Sequence, residues 1–120
     1  MKEEVERWIE QSEEDLDTAI VDFDNGKYKA SAFWCQQSVE KGFKAILIQK
    51  TNKFPRIHDL VKLADLNNAP LRIKEACAKI DPAYMSSRYP DLAKKYTKEE
   101  CEEVIEHCKE ALKWIKKNLS

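Results

Sequence analysis

The sequence predicts an all-α protein, an up-and-down bundle of four or five helices. It holds 2 glycines and 4 prolines among 120 residues, while Glu, Lys, Ala, Leu and Ile dominate, and this composition favours long helices over turn-rich sheets. Apolar side chains also recur at steps of three and four residues along three long segments, the spacing of one helix face. A chain of this length buries roughly two-thirds of the surface that its unfolded state exposes. We therefore expect residues 1–120 to form one domain.

The first two long helices are predicted over residues 3–24 and over about 27–50, separated by the helix-ending pair Asn25-Gly26. The apolar face of the first comprises Val5, Trp8, Ile9, Ser12, Leu16, Ala19, Ile20 and Phe23. The main stripe of the second comprises Tyr28, Ala32, Cys35, Val39, Phe43 and Ile46. Further apolar residues widen that stripe, so we expect the second helix to contact neighbours on more than one side.

The second half of the chain predicts shorter elements before one more long helix. Residues 51–57 contain Pro55 and form a loop, residues 58–66 form a short helix, and Pro70 opens another that reaches residue 80. Residues 81–97 lack a helical period, and we expect an ordered connection there with one turn of helix. Thr97 and Glu100 form a capping box that opens the last helix. Its stripe comprises Cys101, Val104, Ile105, Cys108, Leu112, Ile115 and Leu119.

The charge balance excludes a general attraction to polyanions. The 21 lysines and arginines nearly cancel the 22 acids, so any site for a polyanion has to be local. No apolar run approaches the roughly 20 residues that span a bilayer, and the start of the chain lacks a secretory pattern. We expect a cytoplasmic protein without a membrane partner.

The four cysteines, Cys35, Cys77, Cys101 and Cys108, do not form a metal-binding pattern. They lie far apart and lack a histidine at the spacing of zinc ligands. We expect buried thiols in the core, no metal site and no cofactor.

Glu40 is the most informative polar residue of the second helix. A helical wheel places it between Phe33 and Leu47, with Gln36 on one side and Lys44 on the other. A carboxylate in such surroundings needs a cation, and Lys44 one turn later supplies it. Either a structural ion pair at the edge of the core or part of a binding site would explain the arrangement.

Asp15 and Arg88 are a second candidate pair. Asp15 lies at the margin of the apolar face of the first helix, where a solvent-exposed acid is unusual. Arg88 is its expected long-range partner, because a guanidinium pairs well with a carboxylate or a phosphate. The alternative role for Arg88 is a salt bridge that fixes the loop to the bundle.

Both histidines invite a functional interpretation. His58 precedes the third helix, where an imidazole can cap the helix or titrate near neutral pH. His107 shares with Trp114 the face opposite the core stripe of the last helix, and an indole there indicates a dimer or partner surface. The chain lacks a phosphate loop, a nucleophile elbow and a zinc-protease motif, so spacing alone identifies no reaction.

Taken in order along the chain, several short motifs resemble the signature of the HEPN domain family. The matching residues are Trp8 and Asp15-Leu16, then Ala32-Phe33, Gln36-Gln37, Glu40-Lys41 and Lys44-Ala45, then His58-Asp59-Leu60, and last Arg88-Tyr89-Pro90-Asp91. The resemblance covers nearly the whole chain. It implies a helical bundle that commonly dimerises and is similar to the C-terminal domain of aminoglycoside nucleotidyltransferases.

The resemblance also implies a function, either nucleotide binding or partnership with a minimal nucleotidyltransferase in a toxin-antitoxin-like pair. On this hypothesis Lys41, Lys44 and Arg88 hold phosphate charge, and Tyr84 or Tyr89 stacks a base. The acids orient those cations. The implied site residues are Asp15, Gln36, Gln37, Glu40, Lys41, Lys44, His58, Tyr84, Arg88 and Tyr89.

Many members of this family are instead metal-independent ribonucleases with an Arg about four to six residues before a His. Neither His58 nor His107 follows an Arg at that distance, since Arg56 is two residues before His58. A ribonuclease would need a rearranged site at a dimer interface, with Arg88 beside one of the two histidines acting as general acid or base. A third alternative is a pure interaction bundle that binds another chain through the face of Trp114. The first hypothesis requires that the second helix and the Arg88 segment meet in space.

Overall fold

A computed structural model describes residues 1–92 and 95–119, and the described residues form an all-α bundle. The helices are α1 (Glu3–Asp24), α2 (Tyr28–Thr51), α3 (Leu60–Leu66), α4 (Leu71–Ile80), α5 (Pro82–Arg88) and α6 (Lys98–Lys117), with a 3₁₀ turn at Pro90–Leu92. The predicted fold class is confirmed. Each of the two long helices predicted in the first half of the chain ends within a residue of its predicted position.

The first two helices form an antiparallel hairpin. Gly26 between them has a φ of +73°, a conformation that glycine adopts at little steric cost. Serine hydroxyls then join the helices: Ser12 Oγ donates to the Ser38 carbonyl (2.6 Å) and Ser31 Oγ to the Ala19 carbonyl (2.7 Å). These bonds replace apolar packing with small polar contacts, so the two backbones lie close together.

The last helix runs parallel to α2 and antiparallel to α4. Cys101 Sγ donates to the Tyr28 carbonyl (3.5 Å) and Cys108 Sγ to the Cys35 carbonyl (3.6 Å), so both contacts have the same sequence offset. At the start of α4, Arg72 pairs with Glu110 (3.6 Å) near the end of α6. Helices α1, α2, α4 and α6 therefore alternate in direction, as the predicted up-and-down bundle requires.

One glycine sets the distance between α2 and α6. A Cβ placed on Gly42 would lie 2.9 Å from Cδ1 of Ile115, which is closer than two carbon atoms pack without moving. The absence of a side chain at Gly42 thus allows Ile115 to fill the space between the helices. This contact keeps the buried face of α2 against α6 and leaves its polar residues to face the short helices.

The short helices begin later or extend further than the sequence predicts. Helix α3 begins at Leu60 rather than at His58, because Asp59 caps it with an oxygen that accepts from Lys62 N (3.1 Å). The connection after residue 80 contains the seven-residue helix α5, which Pro82 opens. The capping box of α6 is confirmed: Thr97 accepts from Glu100 N (3.1 Å) and its own N–H donates to Glu100 Oε1 (3.0 Å).

The four cysteines are buried and free, as predicted. Burial raises the pKa of the Cys77 thiol to about 12, and a hydrogen bond with Cys108 raises the pKa of Cys35 well above its usual value. Within residues 1–92 and 95–119 no group of side chains is arranged to hold a metal ion. None of the described helices has the length and apolar character needed to cross a bilayer.

Candidate functional site

A buried polar cluster lies on the side of α2 that faces the short helices. Glu40 is 5% exposed, and its Oε2 accepts from Lys44 Nζ at 2.8 Å. Its other oxygen lies 3.3 Å from Gln36 Nε2, one turn earlier. We call Gln36, Glu40 and Lys44 the α2 polar cluster. The i,i+4 pair predicted at the edge of the core is present, and it is almost completely desolvated.

The α2 polar cluster positions His58. Nδ1 of His58 lies 2.9 Å from Glu40 Oε1, and Gln36 Nε2 donates to the His58 carbonyl at 2.9 Å. Gln37 Nε2 donates to Gln36 Oε1 (2.7 Å) and orients that amide. Because a carboxylate accepts hydrogen bonds, the contact with Glu40 favours a ring with its hydrogen on Nδ1. The imidazole is held at one edge while 51% of the side chain is exposed.

Helix α5 brings an aromatic ring and a cation to the same place. The Tyr84 ring stacks on His58 with centroids 4.6 Å apart and 17° between the planes. The Arg88 guanidinium carbon lies 5.1 Å from the Tyr84 centroid, and Phe33 lies against the same ring at 6.5 Å. Helix α5 is therefore next to α2, with His58 and Tyr84 between Glu40 and Arg88. The expectation that Arg88 and Glu40 share one pocket stays a prediction.

A groove of about 540 Å³ opens beside this stack. Its size falls within the range of small-molecule sites in proteins. The apolar part comes from α3, α4 and α5, and the polar part from residues at the helix ends. The groove is lined by His58, Asp59, Val61, Ala78, Asp81, Pro82, Tyr84 and Met85.

Asp81 joins the groove to the start of α3. Its two carboxylate oxygens accept from Leu60 N (2.8 Å) and Val61 N (3.3 Å). Burial raises the pKa of the Asp81 carboxyl to about 6, although these two hydrogen bonds act in the opposite direction. The nearby Asp59 carboxyl raises it as well. The groove wall thus contains an acid that titrates only slightly below neutral pH.

Asp15 lies in a different place and has a different partner from the expected one. It is 2% exposed, and its oxygens accept from Lys41 Nζ (2.5 Å) and Gln11 Nε2 (2.9 Å). Among the described residues no ion pair joins Asp15 or Glu40 to Arg88, so the Asp15–Arg88 pair was wrong. Lys41 on α2 is simply nearer to α1 than the end of α5 is. This pair borders a small cavity between α1 and α2, away from the groove.

Comparison with known proteins fits this geometry. The sequence matches the HEPN domain family over residues 5–119. The chain belongs to the HEPN family. The structure is similar to a crystal structure of TT1696 from Thermus thermophilus, with a TM-score of 0.89 and 25% identity over 98% of this chain and 100% of the other. It is also similar to ST0689, described as an archaeal HEPN homologue, with a TM-score of 0.83 and 32% identity over 100% of both chains. A search of curated proteins finds no match.

Two of the cations assigned to phosphate in this HEPN domain are already neutralised. Lys44 is 4% exposed, bonded to Glu40, and lies 5.3 Å from the centroid of the Phe54 ring. The Lys41 side chain is 22% exposed and is paired with Asp15. Each ammonium group thus already has a carboxylate as its counter-charge. The structure corrects the expected role of both lysines, which here compensate buried acids.

The two tyrosines assigned to base stacking differ in their surroundings. Tyr84 is partly buried and already has His58 stacked on its ring. Tyr89 is 44% exposed and follows Arg88 directly. One face of the Tyr84 ring is thus already occupied by His58, and both rings line the groove.

The face assigned to a partner on α6 is not as exposed as the sequence predicts. Trp114 is partly buried, and its ring lies 6.4 Å from that of the core residue Phe43. His107 is also partly buried and lines a small cavity with Lys79 of α4. Trp114 therefore packs partly against the core, and the dimer or partner surface expected at His107 and Trp114 stays a prediction. The indole extends the core because α6 packs against α2 through more of its circumference than its main stripe.

Sequence reasoning missed several groove residues of the HEPN domain. Asp59 and Asp81 were not among the candidate residues, and neither were Val61 and Met85. A signal existed for both acids, because Asp is favoured at helix starts and each precedes a helix. Their convergence could not be predicted, since it depends on the end of α4 lying beside the start of α3.

Proposed function

We propose that this HEPN domain binds a nucleotide, with the base in the groove beside His58 and a phosphate on Arg88. The observation that supports this most directly is the continuous contact from Glu40 through His58 and Tyr84 to Arg88 at the edge of the groove. This set of contacts places the aromatic rings of His58 and Tyr84 beside Arg88, which is exposed. Those are the two groups that a nucleotide needs from a protein.

The geometry makes His58 a suitable stacking surface. Glu40 holds one edge of the ring and Tyr84 covers one face, so the ring loses little further freedom when a base stacks on it. Val61 and Met85 add apolar area to the groove walls. Asp59 and Asp81 offer acceptors for the amino groups of a base.

Arg88 is the phosphate ligand in this proposal. It is exposed, and within the described parts of the chain it has no acidic partner. Its guanidinium rests on the Tyr84 ring, an arrangement that restrains the side chain and leaves its N–H groups free. A phosphate placed there would also lie close to the base site on His58.

The same proposal includes the partner that the family resemblance implies. A homodimer of this domain would work beside a minimal nucleotidyltransferase, as a toxin-antitoxin-like pair. The support for the homodimer and for the nucleotidyltransferase partner is the family resemblance, and no contact within this chain adds to it. A small nucleotidyltransferase encoded next to this chain and co-purifying with it would support the pairing; a domain that elutes as a monomer and ignores that protein would not.

Calorimetric titration with nucleoside monophosphates and triphosphates tests the groove. Arg88→Ala should weaken binding about tenfold or more, because one charge-assisted contact to phosphate is lost. Arg72→Ala is the matched control, since Arg72 is also exposed but pairs with Glu110 away from the groove. The proposal fails when no nucleotide binds, or when the two variants lose affinity equally.

One observation favours a second candidate function, a metal-independent ribonuclease. Glu40 bonded to Nδ1 of His58 leaves Nε2 as an acceptor beside the groove, an arrangement suited to general acid-base catalysis. Arg88 would then stabilise phosphate charge. This candidate requires RNA cleavage that survives metal chelation, disappears in His58→Ala and persists in His107→Ala. The absence of cleavage in the unmodified protein would reject it.

A further inference from the structure

A second cavity, of about 600 Å³, lies where the α1–α2 turn meets the segment before α6. Among the described residues that line it, three are lysines, two are tyrosines and none is an acid. It is formed by Gly26, Lys27, Tyr28, Lys29, Ala30, Lys95 and Tyr96. We call it the lysine pocket. It shares no residue with the groove and does not depend on the proposed function.

The lysine pocket differs in its charge from two cavities that α6 lines. Between α1 and α6, a cavity places Lys109 beside Asp24, Glu102 and Glu106. Between α4 and α6, another places Lys79 beside Glu100 and Glu103. In those two cavities, acids of the protein neutralise the lysine. In the lysine pocket, the described lining residues include no acid that could neutralise the lysines.

The lysines of the pocket are exposed, and none of them forms an ion pair within residues 1–92 and 95–119. Lys27 and Lys29 are close together along the chain, and the fold brings Lys95 to the same pocket. Like charges around one pocket repel one another, and an anion bound between them would relieve that repulsion.

Two partly buried tyrosine rings form walls of the lysine pocket beside the three exposed lysines. Tyr28 is partly buried against Phe23, with ring centroids 5.6 Å apart. Tyr96 is partly buried and packs against the hydrophobic core. Rings held in this way can stack a base, while the lysine ammonium groups reach for phosphate.

From these observations we infer that the lysine pocket is a second anion site, which binds a phosphate-rich ligand. The ligand carries at least two phosphate groups, because three separate ammonium groups surround the space. It is either an inorganic polyphosphate chain or the phosphate chain of a nucleotide. The shared chemistry is a linear run of phosphates on lysine, with a base on tyrosine in the second case.

Calorimetric titration of inorganic tripolyphosphate into the Arg88→Ala protein tests this inference, since the groove has then lost its proposed phosphate ligand. We expect saturable binding that weakens about tenfold or more in the added triple variant Lys27→Ala, Lys29→Ala, Lys95→Ala. The control triple variant, Lys53→Ala, Lys113→Ala, Lys117→Ala, changes net charge equally at exposed positions outside the pocket. It should change affinity less than about twofold, because distant surface charges are screened.

Two results would overturn the inference. One is the absence of saturable tripolyphosphate binding, and the other is an equal loss in both triple variants, which would show general charge attraction. A nucleoside triphosphate measured in the same way identifies the source of the phosphates. Tighter binding than tripolyphosphate shows that a base stacks on the tyrosines, and equal binding shows that the phosphate chain alone is recognised.

Discussion

The α2 polar cluster and the outer edge of α5 carry similar residue types but have opposite surroundings. In the cluster, Glu40 and Lys44 are both about 95% buried and neutralise each other. On α5, Arg88 is exposed and rests on an aromatic ring, and it forms no ion pair with the acids of residues 1–92 and 95–119. Buried charges that satisfy one another position neighbouring groups, whereas an exposed and unpaired charge remains available to a ligand. Substitutions in both regions test this division of roles.

The largest effect should come from breaking the α2 polar cluster. Glu40→Ala leaves the buried Lys44 ammonium without a counter-charge, and the free energy of unfolding should fall by about 3–5 kcal/mol. Urea denaturation measures it. The matched control is Glu3→Ala, which breaks an i,i+4 pair with Arg7 at the surface and should cost less than about 0.5 kcal/mol.

Replacing both charges sharpens the same test. The double variant Glu40→Ala, Lys44→Met should recover much of the lost stability, because no unpaired charge stays buried. It should nevertheless loosen His58, which loses the hydrogen bond at Nδ1. Equal stabilities of the single and double variants would show that the pair is not an energetic unit.

The second effect concerns the stacking residue of α5. Tyr84→Ala removes a partly buried ring that contacts His58 and Phe33, and we expect a loss of about 2 kcal/mol in thermal or urea unfolding. Tyr89→Ala is the control, since that ring is 44% exposed, and it should cost less than about 0.5 kcal/mol. If Tyr89→Ala lowers the free energy of unfolding more than Tyr84→Ala does, the stacking of Tyr84 on His58 contributes little to stability.

A smaller effect should appear as a dependence of stability on pH. The pKa of Asp81 is about 6 in the folded chain, above the ordinary aspartate value of 3.8. The folded state therefore binds a proton more readily than the unfolded state between those values, and this group makes the free energy of unfolding fall as the pH rises from about 4 to about 6. Urea unfolding at several pH values should show this slope in the unmodified chain and lose it in Asp81→Asn. Asp65→Asn, at an exposed acid paired with Lys74, should keep it.

The smallest effect on stability should accompany the largest effect on binding. Arg88→Ala removes an exposed side chain and should change the free energy of unfolding by less than about 0.5 kcal/mol. Its nucleotide affinity should nevertheless fall as described above. If Arg88→Ala lowers both the free energy of unfolding and the nucleotide affinity, then Arg88 has a structural role like that of the buried charges of α2.

Much of the fold is encoded in local patterns. The stripes of α1, α2 and α6 and the capping box at Thr97 set the three long helices, because long periodic segments leave one face to bury. Helix α5 was harder to define, since seven residues hold too few turns to show a period. The sequence predicted one turn of helix somewhere in residues 81–97, but neither its start at Pro82 nor its end at Arg88.

The candidate site was only partly accessible to sequence reasoning. The pairing of Glu40 with Lys44 follows from i,i+4 spacing, and it is present. Long-range partners do not follow from spacing, and so Asp15 was assigned to Arg88 although Lys41 binds it. The packing of Trp114 near Phe43 was not predicted for a related reason: a helical wheel of α6 alone does not show how many neighbours surround that helix.

Nucleotide binding beside His58 is tested most directly by nuclear magnetic resonance. Titrating a nucleoside monophosphate into the labelled protein should shift the amide signals of His58, Val61 and Met85 and the side-chain signals of the His58 ring and Arg88. The signals of Asp15 and Lys41, on the far side of α2, should stay in place. Unmoved groove signals at saturating nucleotide, or shifts confined to the Asp15 side, would contradict the proposed site.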